Sequence, residues 1–256
     1  MATLRHGDAQ LRSPSLPQAF VAEFLATFVF VGFSIGAGIS NERTLDGNAA
    51  HLFILFFHFA LALMTIHAFG AISGAHFNPG ISFTLLVARR ITALRFVVYL
   101  AAQLAGGVVG AGLMKAATPD AWEGAMGVVM PPDGVTESET FIMEMMMSSG
   151  LAIGAFATAF DPRGWGRLGP LAISIIIFLN IHIGAPFGAG VMNPARAFGP
   201  AAVMNNFESH WIYWVATCLG MLIGGGTYEY LFMQRAHGRT STPSTTGETR
   251  KTVKMD

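Results

Sequence analysis

Six stretches of this chain are apolar over the ~20 residues that a helix needs to cross a bilayer. They lie at about 18–40, 52–70, 95–116, 140–160, 168–187 and 211–233. Such a chain has few options. Hydrocarbon offers the backbone no partner, so each stretch must satisfy its own N–H and C=O groups as a helix. Charge is correspondingly scarce, at 12% of residues against 52% apolar. The 30 glycines would weaken a soluble helical bundle but suit membrane helices that pack closely, with Gly224-Gly225-Gly226 the densest run. A net charge of zero gives no electrostatic footprint for nucleic acid. The single cysteine, Cys218, lies in an apolar run and is expected to be a small buried hydrophobe. The first apolar run is too long for a cleaved signal peptide.

Two shorter apolar pieces remain, at about 79–88 and 194–204. Too short to span, they read as re-entrant segments. Residues 1–17, with Ser-Pro and Leu-Pro steps, are expected to be a disordered leader. Residues 237–256, rich in Ser and Thr, are expected to be a disordered tail open to phosphorylation. One channel-sized domain over 18–236 is left between them.

That domain repeats itself. Glu23 and Thr27 in the first span match Glu144 and Ser148 in the fourth. Asn78-Pro79-Gly80 matches Asn193-Pro194-Ala195, and a phenylalanine follows each asparagine by five, at Phe83 and Phe198. Three spans separate the copies, so the halves, about 18–116 and 140–233, are inverted. Matching short segments in inverted halves mark a shared site near the bilayer midplane. Asparagine is a favoured N-cap and proline a favoured first helical residue. Two half-helices starting there point their positive dipole ends at the middle, with the Asn78 and Asn193 amides as donors.

Orientation follows the basic residues. With the termini in the cytoplasm, twelve of the 15 Lys and Arg residues fall on that side and only Arg43 and Lys115 opposite. Arg196 belongs to neither set: it lies three residues past the second asparagine, inside a short apolar piece. A permanent cation there needs water or a partner.

At these residues the chain resembles the aquaporin (major intrinsic protein) family, and within it the tonoplast-type channels of plant vacuoles. Ser73-Gly74-Ala75-His76-Phe77-Asn78-Pro79 is similar to the family's first signature, and Asn193-Pro194-Ala195-Arg196-Ala197-Phe198-Gly199-Pro200 to its second. The segments from Ala157 to Met192 and from His210 to Trp214 resemble the tonoplast subgroup. The resemblance covers about residues 18–233. It implies an all-α membrane protein of six transmembrane helices and two re-entrant half-helices, one pore per subunit, and a homotetramer in the lipid bilayer. It also implies that His58, Ile181, Gly190 and Arg196 form the selectivity filter, and that Glu23, Glu144, Gln103 and His76 brace the re-entrant loops. His67 and His182 have no filter role in this pattern and are expected to pack or to face an interface.

The implied function is a passive channel for water that excludes protons and ions. Ala197 stands where glycerol-conducting relatives carry aspartate, and the pair Tyr213-Trp214 is similar to that of water channels. Gly190 leaves room for a small neutral solute such as ammonia, although loop 117–139 lacks the histidine of ammonia-linked relatives. A glycerol- or urea-permeable channel and a non-conducting structural member are the alternatives. No enzyme motif, catalytic residue or cofactor signature appears, and the methionines at 143 and 145–147 lack the His or Cys companions of a metal set. Plasma membrane and vacuolar-type membrane both remain open. Gly80 departs from the family's alanine. It falls in a first helical turn that needs no glycine, so alanine is expected to be tolerated there.

Overall fold

The computed structural model describes residues 15–233. The expected disorder of the first residues and of the tail, with its phosphorylation sites, lies outside the described residues. The leader ends earlier than expected, because Ser15 is a helix start. Its hydroxyl accepts the Gln18 N–H while the Gln18 side chain accepts the Ser15 N–H, and Pro17 sits in the first turn. Ser15 is the cap, and Pro17 of the Leu-Pro step lies in the first turn instead of in a disordered leader.

Eight α-helices follow, with no strand among the described residues. They are α1 (Leu16–Thr44), α2 (Gly47–Ser73), α3 (Pro79–Val87), α4 (Ala93–Ala117), α5 (Glu137–Ala155), α6 (Gly169–Gly184), α7 (Pro194–Met204) and α8 (Ile212–Thr227). α5 continues as a wider π-helical turn over Phe156–Phe160, and α8 as another over Tyr228–Met233. Five segments are long and apolar enough to cross a membrane. The sixth span is α8 with its π extension, which together cover residues 212–233. α3 and α7, of 9 and 11 residues, are the two half-helices. Spans alternate in direction, so residues 15 and 233 share one face, the near face. The connections at 44–47, 118–136 and 205–211 lie on the far face.

The inverted repeat is visible in the packing. α1 packs most closely on α4, and α5 on α8, while α2 and α6 join the halves. Each half-helix crosses over: α7 lies against α4, and α3 against α8. Glycine makes these approaches possible. A Cβ on Gly110 would sit 2.6 Å from the Phe28 carbonyl oxygen, one on Gly107 2.8 Å from that of Ala195. In the second half, Gly220 and Gly224 meet the Met145 and Ser149 carbonyls just as closely. The run 224–226 is only partly used in this way. Gly225 faces Phe156 and Thr84, and Gly226 faces nothing within 4 Å. Cys218 is partly buried rather than fully so.

On the near face, Arg90 grips Glu229 with two hydrogen bonds of 2.8 and 3.1 Å, tying the end of α8 to the turn after α3. Tyr228 donates to Asp161, which also accepts Arg163. The bond from Arg163 holds the Asp161 carboxyl well below the usual carboxylate range.

Backbone cannot yield as a side chain can, so two glycines of α4 and α8 should respond oppositely. Gly110→Ala is expected to force α1 from α4 and lower the melting temperature in detergent, at a cost of roughly 1–3 kcal/mol. Gly226→Ala, in open space, is expected to hold or raise it. Equal effects would refute the close approach.

Candidate functional site

The site is built by the residue before each asparagine. Phe77 and Met192 have φ of +34° and +51°, left-handed conformations that side chains beyond glycine rarely take. The turn directs both peptide groups. The Phe77 N–H donates to Glu23 Oε2 at 2.7 Å, while its carbonyl accepts from Asn193 Nδ2 at 2.8 Å. The Met192 N–H donates to Glu144 Oε1, while its carbonyl accepts from Asn78 Nδ2 at 2.6 Å. The motifs therefore hold each other. Each asparagine also caps its own half-helix: Asn78 Oδ1 accepts the Gly80 N–H, and Asn193 Oδ1 accepts those of Ala195 and Arg196. An amide nitrogen carries two hydrogens. One is used across the pair, and the second is left for a ligand.

Both glutamates are wholly buried. Glu23 accepts from Ser73 Oγ, His76 N, Phe77 N and Gln103 Nε2. Glu144 accepts from Gly190 N, Val191 N, Met192 N and Thr217 Oγ1. Gln103 on α4 and Thr217 on α8 are counterparts under the repeat. Chemical difference hid Thr217 from the sequence reading, because an amide and a hydroxyl share no motif. His76 enters through its backbone N–H, and its ring bonds Ser82 Oγ at 3.0 Å.

Two cavities meet at these residues. The far-face cavity holds about 460 Å³ and is lined by His58, Ile181, Gly190, Arg196, Asn78 and Asn193, among others. The near-face cavity holds about 590 Å³ and is lined by His67, His76, Phe77, Asn78 and Arg167, among others. Phe77, Asn78, Leu151 and Ile177 border both. The structure thus brings the four expected filter residues to one cavity and both asparagines to its inner end. His67 is a correction. Expected to pack or to face an interface, it is exposed and borders the near-face cavity, with its Nδ1 bonded to the Leu63 carbonyl at 2.9 Å.

Arg196 donates from Nη1 to the Gly127 carbonyl at 2.7 Å, and neither ion pair among the described residues involves it. Gly127 belongs to the loop after α4, whose Val128, Val129 and Met130 fold into the cavity. No motif marks this anchor, since a carbonyl is offered by any residue. Opposite, the His58 Nδ1 bonds the Ile54 carbonyl at 2.8 Å. That bond fixes Nδ1 as the donor and leaves Nε2 as the acceptor of the neutral ring. Gly190 has φ of +82°, and a Cβ there would sit 2.9 Å from the Asn180 carbonyl oxygen, so it is required by conformation and by space. Tyr213, fully buried, donates to the Gly188 carbonyl at 2.7 Å and steadies the same loop.

The family model for the major intrinsic proteins matches residues 10–228. The chain belongs to the major intrinsic protein family. A Zea mays relative, aquaporin TIP1-2, is 38% identical over 91% of this chain and 93% of its own. The lens fiber major intrinsic protein of Ovis aries is 38% identical over 88% and 85%, and human aquaporin-4 is 36% identical over 84% and 67%. Among solved structures, the aquaglyceroporin of Plasmodium falciparum superposes with a TM-score of 0.76 at 21% identity, over 87% of this chain and 99% of that one. Major intrinsic proteins have the fold seen here, of six spans and two half-helices in an inverted repeat.

Gly80 is the second correction, because its first helical turn is not in open space. A Cβ at position 80 would lie 2.7 Å from Met221 Sδ and 3.1 Å from Thr217 Cγ2. Met221 is fully buried within the main core cluster and cannot swing aside freely. The missing methyl is replaced by methionine from α8. Gly80→Ala is therefore expected to destabilise by roughly 1–3 kcal/mol. Combined with Met221→Val, it is expected to cost less than the sum of the two single changes. Additive melting shifts in a double-mutant cycle would show that the two residues do not compete for space.

Proposed function

We propose that this protein is a passive membrane channel that conducts water and rejects ions and protons. The observation that carries the reading is that two cavities from opposite faces share Phe77, Asn78, Leu151 and Ile177 as lining, with Asn193, Arg196 and His58 lining the far-face one. Water enters a passage lined mainly by apolar groups, with donors and acceptors only at intervals. At the filter, Arg196 offers N–H donors and His58 an acceptor. Arg196 has only a carbonyl partner, so its charge opposes cations, hydronium included. At the middle, the free amide hydrogens of Asn78 and Asn193 and the positive ends of α3 and α7 orient water by its oxygen. A water held in this way donates outward in both directions and interrupts a proton wire.

In this proposal His58, Ile181, Gly190 and Arg196 are the selectivity filter, and 18–236 is the channel domain. The small Gly190 and the apolar Ile181 leave room for a compact neutral solute such as ammonia. Ala197 and the Tyr213-Trp214 pair favour water over glycerol. The near face is cytoplasmic, as the excess of Lys and Arg on it indicates. A vacuolar-type membrane is supported by the relatives named as TIP-type aquaporins. Assembly as a homotetramer belongs to the same reading.

Stopped-flow light scattering on proteoliposomes tests the proposal. The protein is expected to accelerate osmotic shrinkage well above that of empty vesicles. Arg196→Val is expected to keep water flow and to raise leakage of urea, glycerol or protons. Wild-type flux at the bare-lipid level would reject the channel, and unchanged leakage in a folded variant would reject the filter.

A further inference from the structure

His51 and His182 meet on the far face, and nothing in the water pathway uses them. His51 Nε2 lies 2.9 Å from His182 Nδ1, with the ring centroids 5.2 Å apart. His51 sits in the first turns of α2, partly exposed, and His182 sits near the end of α6, exposed. Neither lines the far-face cavity. The pair therefore faces outward, at the end of the seam where α2 meets α6.

We propose that this pair is a binding site for a borderline-soft divalent transition ion, with Zn²⁺ and Cu²⁺ as the best matched. Imidazole nitrogen suits these ions. Two nitrogens bound to zinc at about 2.0–2.1 Å in tetrahedral geometry lie about 3.4 Å apart. The present pair needs to open by only about half an ångström, which side-chain rotation supplies. In the metal-free state one ring donates to the other, so two ring nitrogens already converge on one point. No group of three His, Cys, Asp or Glu converges anywhere among the described residues. Water completes the coordination, and the ion exchanges with solvent rather than serving as a structural zinc.

The site lies close to the filter through its own helices. His51 precedes His58 by seven residues, two turns of α2 or about 10 Å along its axis. His182 directly follows Ile181. A bound ion thus clamps the two helices that carry two of the four filter residues, at the far-face end.

The test uses the full chain without a histidine tag, stripped with chelator and held in detergent. Zn²⁺ is titrated by calorimetry, and Cu²⁺ is added for electron paramagnetic resonance. One ion per subunit is expected, with nitrogen hyperfine structure from two imidazoles. Thermal melting is expected to rise with Zn²⁺, because the ion binds the folded seam and not the separated helices. His51→Gln and His182→Gln keep a polar side chain at positions outside the buried core, and each is expected to weaken binding at least tenfold and to abolish the melting shift. Absence of stoichiometric binding to the wild type would overturn the proposal. So would binding that both variants retain. The readout does not depend on water flux, so its failure leaves the channel reading untouched, and the reverse also holds.

Discussion

The pore depends on two buried carboxylates. Glu23 and Glu144 each accept four hydrogen bonds, and the peptide N–H groups among them come from loops that no helix or sheet satisfies. A buried donor left unpaired costs about 1–3 kcal/mol, and a bond to a charged acceptor contributes about 1.5–3 kcal/mol. Against this stands the left-handed backbone of Phe77 and Met192, at about 1–2 kcal/mol each. The carboxylates outweigh that strain. The strained peptide then does a second task, presenting its carbonyl to the asparagine of the other half. From Glu23 through Phe77 to Asn193, and from Glu144 through Met192 to Asn78, two hydrogen-bonded chains cross at the midplane. Each half of the molecule positions the other half's asparagine.

This crossing needs the half-helices to sit deep between the spans, and glycine opens that space. Gly107 of α4 lies against the carbonyl of Ala195 in α7, and Gly199 of α7 against the Gly107 carbonyl. In the other half the same tight fit is reached differently. Gly80 of α3 accepts the bulk of Met221 from α8. The two halves share a plan but not their packing residues, as independent drift of two copies around a fixed hydrogen-bond scheme would produce.

Much of this was legible in the sequence because its physics is local or periodic. The length of an apolar run sets a span, and Asn-Pro sets a capped helix start, so α3 and α7 were placed within a residue or two. Glu23 and Glu144 stood out as matching positions of the two halves, and their bracing role came with the family resemblance. What escaped was of another kind. Gly127 acts through a carbonyl, which every residue has. Thr217 substitutes for the amide of Gln103 and shares no chemistry with it. His67 reaches a cavity whose boundary is set by helix tilt, and His51 meets His182 across 131 positions of sequence. The tolerance expected at Gly80 failed for the same reason: a first helical turn needs no glycine, but the crossing of the half-helices brings Met221 against it.

In the proposed passage a positive filter is combined with a positive midplane, and the proposed selectivity follows from that pairing. Water would satisfy both ends of each contact, whereas a cation would meet Arg196 first and two helix N-termini next. The most direct test is an experimental structure in lipid at a resolution that shows ordered water. The expected result is a single file through both cavities, with one water near 3 Å from Asn78 Nδ2 and Asn193 Nδ2 together. A dry midplane, or asparagine amides turned away from a common water, would contradict the account.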